Sequence, residues 1–198
     1  FNTGLVEKAP IMDNVIYYDG TVASDPANEK FVHNEFGVNY RFGKLGLNAS
    51  AYNTDWQDRN LTKSVTTGQG DSGDTDVIFL TGVNQKHSGV ELETNYMVND
   101  MLDLMFVASF GNWKFDGDAN GNYQETEYNS EGQAVGYTTT EYAYALDGLY
   151  VGDMPQTSYV LGVTLKPIKD LRIQAIHKMY DKNYSDWSPD AREIEDGV

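Results

Sequence analysis

The chain has 198 residues, enough for one domain, and its lack of cysteine excludes a disulfide framework and any thiolate metal or redox site. Its 30 acidic residues outnumber 14 basic ones and give a net charge of −16, so no basic stripe exists to bind nucleic acid. No run approaches the roughly 18 apolar residues of a membrane-spanning helix. The 14 tyrosines, 19 glycines and only 5 prolines favour an all-β fold.

Residues 1–34 are predicted to form a long polar connection that follows the end of a strand. Pro10 and several Asp-containing turn signals interrupt it, and residues 15–18 are a short strand candidate. The last residues, 193–198, stop without a terminal element. We therefore expect residues 1–198 to be one partial domain, cut at both ends.

The first clear hairpin joins residues 36–42 to residues 45–53 through a tight turn at Gly43. Successive side chains of a strand point to opposite faces, so strict alternation gives each strand one apolar and one polar face. The apolar stripe consists of Phe36, Val38, Tyr40, Phe42, Leu45, Leu47, Ala49 and Ala51.

Two more hairpins repeat this pattern. Residues 88–96 pair with 102–110, and residues 156–166 pair with 171–180, again through short turns. The connections between hairpins, 54–87 and 112–155, are long, and the second is expected to hold its own hairpins near residues 117–121 and 131–132. Segments 54–86, 111–155 and 181–198 carry 19 acidic and 6 basic residues, so most of the negative charge lies in these connections.

The regular order of short turns and long connections indicates a transmembrane barrel, in which one rim has short turns and the other long loops. An antiparallel sheet packed against a soluble core also alternates, so a secreted β-sandwich binding or adhesin-like module stays open as an alternative. No catalytic motif is present, and we expect no enzymatic activity.

One stretch matches the spacing of a calcium-binding loop. Asp116, Asp118, Asn120 and Glu127 supply oxygen ligands at positions 1, 3, 5 and 12, with glycine at position 6. The surrounding sequence does not predict the two helices of an EF-hand. The stretch therefore predicts either a calcium site or an ordinary Asp- and Gly-rich loop.

Aromatic residues collect in and beside the long connections. Tyr137, Tyr142, Tyr144 and Tyr150 are candidates for ligand contact, with packing inside the loop as the alternative. Trp56, Trp113 and Trp187 each lie just past an apolar stripe. A girdle at the membrane interface is the natural interpretation of these tryptophans, and ligand contact is the alternative.

Several segments, taken in order, resemble the C-terminal part of the barrel of TonB-dependent outer-membrane receptors, in the form common in Bacteroidetes. The segments that carry the resemblance are residues 7–15, 25–30 followed by 35–40, 47–56, 88–93 and 151–156.

The resemblance implies a 22-stranded outer-membrane barrel closed by an N-terminal plug, which this chain lacks. Such receptors bind a scarce nutrient, such as siderophore-bound iron, cobalamin or an oligosaccharide, and import it with energy relayed through TonB. The implied partners are that nutrient, TonB acting through the plug, and outer-membrane lipid. No cofactor is implied beyond the calcium considered above.

Overall fold

The structure is a computed structural model that describes residues 1–12, 15–17, 20–22, 26–67 and 74–194. Its strands are β1 (Asn2–Lys8), β2 (Glu29–Phe42), β3 (Leu45–Thr67), β4 (Asp74–Asn99), β5 (Leu102–Phe115), β6 (Ala119–Tyr128), β7 (Ala134–Tyr144), β8 (Pro155–Ile168), β9 (Leu171–Asn183) and β10 (Glu193–Ile194). A short 3-10 helix spans Pro189–Ala191. No helix in the described ranges has the length and apolar character needed to cross a membrane.

All the strand pairs are antiparallel, and the main sheet runs in the order β1-β2-β3-β4-β5-β8-β9. The three predicted hairpins are present with their short turns, so the prediction of an all-β antiparallel meander is confirmed. The beginning of the chain is also strand, as expected, because β1 pairs with β2.

The prediction that the hairpins are joined by long connections is wrong in one respect, because most residues of these segments belong to strands. Strand β3 has 23 residues and β4 has 26, so their ladder continues far beyond the sheet formed with β2 and β5. Where β5 ends, β6 takes over as the partner of β4. The turn near Gly117 therefore joins two strands that pair with β4 in succession and is not a hairpin. The hairpin expected near residues 131–132 exists, between β6 and β7.

These extensions form what we call the outer sheet: residues 61–67 of β3, residues 74–83 of β4, and all of β6, β7 and β10. Together with the end of β5 and the segment after β7, it forms a buried apolar cluster of the described residues, with members Val65, Ile78, Leu80, Val83, Phe115, Ala119, Tyr144 and Leu146. The buried Asp76 accepts hydrogen bonds from the Tyr123 hydroxyl at 2.6 Å and the Thr126 amide at 3.1 Å. The outer sheet is therefore a packed unit and not a set of loops.

The main sheet buries much less of its apolar surface. On the face predicted from alternation, Phe36 is 62% exposed, Leu161 50% and Ile173 52%. Register continues this apolar face across neighbouring strands, since Val38 pairs with Ala49 and Ala49 with Leu92. A sheet of this kind presents one continuous apolar face that the described chain leaves uncovered.

Two chain segments are fastened together at the end of the main sheet nearest the outer sheet. The Asp153 amide donates to the Tyr184 carbonyl at 3.0 Å, and the Tyr150 and Tyr184 rings stack at 4.2 Å. A Cβ added to Gly152 would lie 2.5–2.6 Å from backbone atoms of Ser185 and Asp186. Only glycine fits this approach, because backbone atoms cannot move aside as a flexible side chain can.

Truncating Leu80 to alanine is expected to destabilise the outer sheet by about 2–5 kcal/mol, because its side chain is fully buried there. Amide hydrogen exchange in β6 and β7 should become faster, while exchange in β8 and β9 stays unchanged. Val135→Ala is the matched control, since Val135 is 61% exposed on β7. Equal acceleration in both variants would contradict a packed outer sheet.

Gly152→Ala is expected to separate the segment at residues 150–153 from the segment at 184–187. The Asp153 amide should then lose its protection against hydrogen exchange. Gly136→Ala serves as control, because the added Cβ would meet only the flexible Glu127 side chain, at 3.4 Å. Retained protection of the Asp153 amide in the Gly152 variant would show that the backbone tolerates the extra atom.

Candidate functional site

A pocket of the described chain lies where the main sheet meets the outer sheet. It has a volume of about 520 Å³, within the range typical of small-molecule sites. Trp56, Trp113 and Trp187 all line it, and we call it the tryptophan pocket. Its polar lining includes Arg59, Lys63, Gln85, His87, Asp153 and Asp186.

A β-bulge places Arg59 in this pocket. Between the pairs Trp56↔Gln85 and Arg59↔Val83, β3 has one residue more than β4. The extra residue reverses the alternation of faces, so Arg59 joins Trp56 on the polar face. Asp58 makes the bend with a φ of 54°, and its amide donates to the Asn84 side-chain oxygen at 2.9 Å.

The bulge brings three functional groups together. The Arg59 guanidinium carbon lies 4.3 Å from the centroid of the Trp56 ring, in a cation–π contact. Its Nη1 donates to Gln85 Oε1 at 3.2 Å, and Gln85 Oε1 also contacts His87 Nε2 at 3.1 Å. An amide oxygen can only accept, so His87 carries its proton on Nε2 here.

Three side chains contact Trp113 and hold it in place. The His87 ring stacks on it at 5.4 Å, and its indole N–H donates to the Tyr52 hydroxyl at 2.9 Å. Tyr52 itself lies against Gly89, where a Cβ would come within 2.5 Å of the hydroxyl oxygen. The buried Gln156 side chain accepts from the Trp113 amide and donates to its carbonyl, both at 2.9 Å.

Trp187 closes the pocket from the segment after β9. The Lys63 ammonium lies 4.6 Å from the centroid of its ring and forms an ion pair with Asp186. The Trp187 indole N–H is buried and has no acceptor among the residues that the structure describes. A buried donor without a partner is uncommon in native proteins.

Burial influences the pKa values of two side chains that line the pocket, Arg59 and His87. Arg59 and His87 lie past the end of the apolar face, outside the stretch that carries the apolar stripe. Burial, followed by the positive charge of Arg59, lowers the pKa of His87 below its ordinary value of 6.5, so His87 is neutral at pH 7. Burial also lowers the pKa of Arg59, but a guanidinium stays charged at any physiological pH.

A second concavity, of about 580 Å³, lies farther along the polar face of the main sheet. Glu35, Glu91 and Glu93 line it, together with Asn, Ser and Gly residues and without Lys or Arg. Glu93 accepts a hydrogen bond from Asn95 at 2.8 Å. This wall therefore presents carboxylates to whatever covers it.

The four tyrosines proposed for ligand contact do not share one surface. Tyr144 is fully buried in the outer-sheet core, and Tyr142 packs edge-on against Tyr123. Tyr137 and Tyr150 are exposed, but Tyr137 lies on β7, whereas Tyr150 stacks on Tyr184 beside the tryptophan pocket. The structure gives Tyr142 and Tyr144 packing roles.

The four residues of the calcium hypothesis are not brought together either. Asp116 forms an ion pair with Lys86 at 2.6 Å, and Asp118 accepts the amides of Leu146 and Asp147.

Asn120 and Glu127 both lie on the extended strand β6, about 23 Å apart along it. Among the described residues, no group of three His, Asp or Glu side chains could hold a metal ion. The structure thus lends the calcium hypothesis no support, because a strand cannot wrap around a cation.

The interpretation of the tryptophans as a membrane girdle is wrong for Trp56 and Trp113. Both lie on the polar face, as their pairing with Gln85 and His87 shows. The role of Arg59 was missed altogether, because the plain alternation of β3 assigns an odd-numbered residue to the other face. The one local signal was the polar run Gln-Asp-Arg-Asn at residues 57–60.

Comparison with known proteins agrees with this architecture. The sequence matches the family described as TonB dependent receptor-like, beta-barrel, over residues 6–193. Searches of curated proteins and of solved structures each found no match. Because the family match covers nearly the whole chain, the protein belongs to the β-barrel family of TonB-dependent receptors.

Proposed function

We propose that this chain forms part of the wall of an outer-membrane barrel that captures a scarce nutrient at the cell surface for import. In this proposal residues 1–198 are a partial barrel domain of the Bacteroidetes type, from the C-terminal part of the barrel. The plug and the other strands of a 22-stranded barrel would complete it. The protein is then a transporter and not an enzyme.

The continuous apolar face is the observation that carries this proposal. From Val38 to Phe42 and at the residues that register with them, its outward positions on β2, β3, β4, β5, β8 and β9 hold Phe, Val, Leu, Ala, Met, Tyr and Thr, with one histidine, His177. No Asp, Glu, Lys or Arg occupies these positions, and Asp181 registers with Phe36 at the end of the face nearest the outer sheet. A basic residue at the centre of a bilayer costs about 2–4 kcal/mol, so this composition suits contact with lipid.

The alternative of a soluble β-sandwich is less well supported. A sandwich buries the apolar inner faces of its two sheets against each other. Here the buried cluster lies in the outer sheet, whereas the apolar face of the main sheet stays exposed. An exposed apolar face of this extent marks a surface that contacts lipid or another protein.

The polar face fits the lining of a barrel occupied by a plug. Glu91 and Glu93 face this side with no basic residue beside them in the concavity. We propose that the plug implied by the family covers this wall and supplies the positive charge. Energy relayed through TonB would then act on the plug to release the nutrient.

The tryptophan pocket is placed to contact that nutrient. It opens on the polar face, beyond the apolar band and beneath the outer sheet. Tyr150 is next to Val151, which lines the pocket, so of the four tyrosines it is the one we place beside the ligand. Siderophore-bound iron, cobalamin and an oligosaccharide are the candidate nutrients.

Leu161→Arg tests the membrane assignment, because Leu161 lies near the middle of the apolar face. The arginine should lower the stability of the membrane-inserted protein by about 2–4 kcal/mol and reduce its amount in the outer membrane. Ser158→Arg, three residues earlier and on the polar face, is the control and should insert normally. Normal insertion of both variants, or recovery of the protein without detergent, would contradict the proposal.

Deletion of the gene tests the import function. The mutant cells should lose uptake of one nutrient among ferric siderophore, cobalamin and oligosaccharide. The wild-type cells should lose the same uptake when TonB is removed. Unchanged uptake of all three, or uptake that persists without TonB, would be incompatible with the proposed function.

A further inference from the structure

Arg59 is a half-buried cation with most of its hydrogen-bonding capacity unused. A guanidinium has five N–H donors. Within the described part of the chain, Arg59 makes one hydrogen bond, to Gln85 Oε1, and no ion pair. Keeping a charge partly out of water is costly unless a partner compensates it. The geometry of the pocket therefore favours an additional acceptor for Arg59 that the described part of the chain does not supply.

The carboxylates near Arg59 are already engaged or lie at the mouth of the pocket. Glu29 accepts hydrogen bonds from the Trp56 indole at 3.4 Å and from the Asn60 amide at 3.3 Å. Asp186 is paired with Lys63, and Asp153 is exposed. Both Glu29 and Asp186 act on Arg59 only through longer-range attraction.

We propose that Arg59 binds a carboxylate or phosphate group of the ligand, so that the tryptophan pocket is specific for an anionic nutrient. This inference rests on the proposed function and narrows it. The planar guanidinium presents parallel donors that match two oxygens of such a group. Its stacking on Trp56 holds that plane in a fixed orientation, so little freedom is lost when the anion binds.

The arrangement of the tryptophans favours an anion over a neutral sugar. A sugar needs a bare aromatic face on which to stack. Here Arg59 covers a face of Trp56, His87 covers a face of Trp113, and Lys63 covers a face of Trp187. The Trp113 ring also lies against Gly111, where an added Cβ would be 2.8 Å from the indole nitrogen. The pocket therefore offers donors and cations more than open rings.

The test uses the complete receptor in detergent, titrated with citrate, inorganic phosphate and neutral maltotriose at constant ionic strength. Binding is followed by calorimetry and by tryptophan fluorescence, which reports on the residues of the pocket. We expect saturable binding of citrate or phosphate and none of maltotriose. Arg59→Gln should weaken that binding by about tenfold or more, as loss of charged hydrogen bonds predicts.

Two further variants separate recognition from general charge and from packing. Lys86→Gln removes one positive charge from an exposed ion pair with Asp116, outside the pocket, and should leave binding unchanged. Arg59→Lys keeps a cation over Trp56 but loses the paired donors, so it should fold normally and bind more weakly than the wild type.

Three results would overturn the inference: no saturable anion binding to the wild type, equal binding to Arg59→Gln, or an equal loss in Lys86→Gln. The uptake experiment distinguishes a failure of this inference from a failure of the proposed function. TonB-dependent uptake without anion binding would reject the anionic ligand alone. Arg59-dependent anion binding without such uptake would support the pocket and reject import.

Discussion

The register of the β3–β4 ladder is the constraint on which the rest of the structure depends. These two strands are the longest of the described chain, and they belong to both the main sheet and the outer sheet. Side chains alternate with a period of two, so the position of one strand against the other decides which face each residue occupies. The apolar face, the polar wall and the tryptophan pocket all follow from that register.

Two compensating irregularities divide this ladder into parts with different roles. The first adds a residue to β3 after Trp56, and the second adds one to β4 before Val83. The first exchanges the two faces of β3 for every later residue, and the second exchanges those of β4, so from Leu61 onward the two strands pair in the original register with their faces exchanged. Arg59 and Lys63, which the regular pattern would have turned toward the apolar side, therefore line the pocket. A charge that would be costly against lipid is thus moved into the pocket by one extra backbone residue.

The regular parts of this arrangement could be predicted from the sequence, whereas the irregular parts could not. Strict alternation identified the three hairpins and both faces of the main sheet, because burial against one environment imposes a period of two. The sequence of the outer extensions predicts loops, since runs such as Leu61–Val65 mix threonine, serine and lysine with few apolar residues. Their strand structure depends on pairing with β6 and on the distant cluster around Leu80 and Tyr144, which no local pattern encodes.

The same long-range packing explains why the predicted site residues and the observed site differ. Tyr142 and Tyr144 are predicted ligand contacts because they lie in a tyrosine-rich long connection, but their strand turns them toward the core of the outer sheet.

Residues that converge on the pocket come from β3, β4, β5, the segment before β8 and the segment after β9, and only tertiary structure brings them together. Because Gln156, Tyr52 and the contact between residues 152 and 185 already fix these side chains, the pocket is formed before any ligand arrives. A ligand that binds there need not order a loop, so more of its interaction energy is available for affinity.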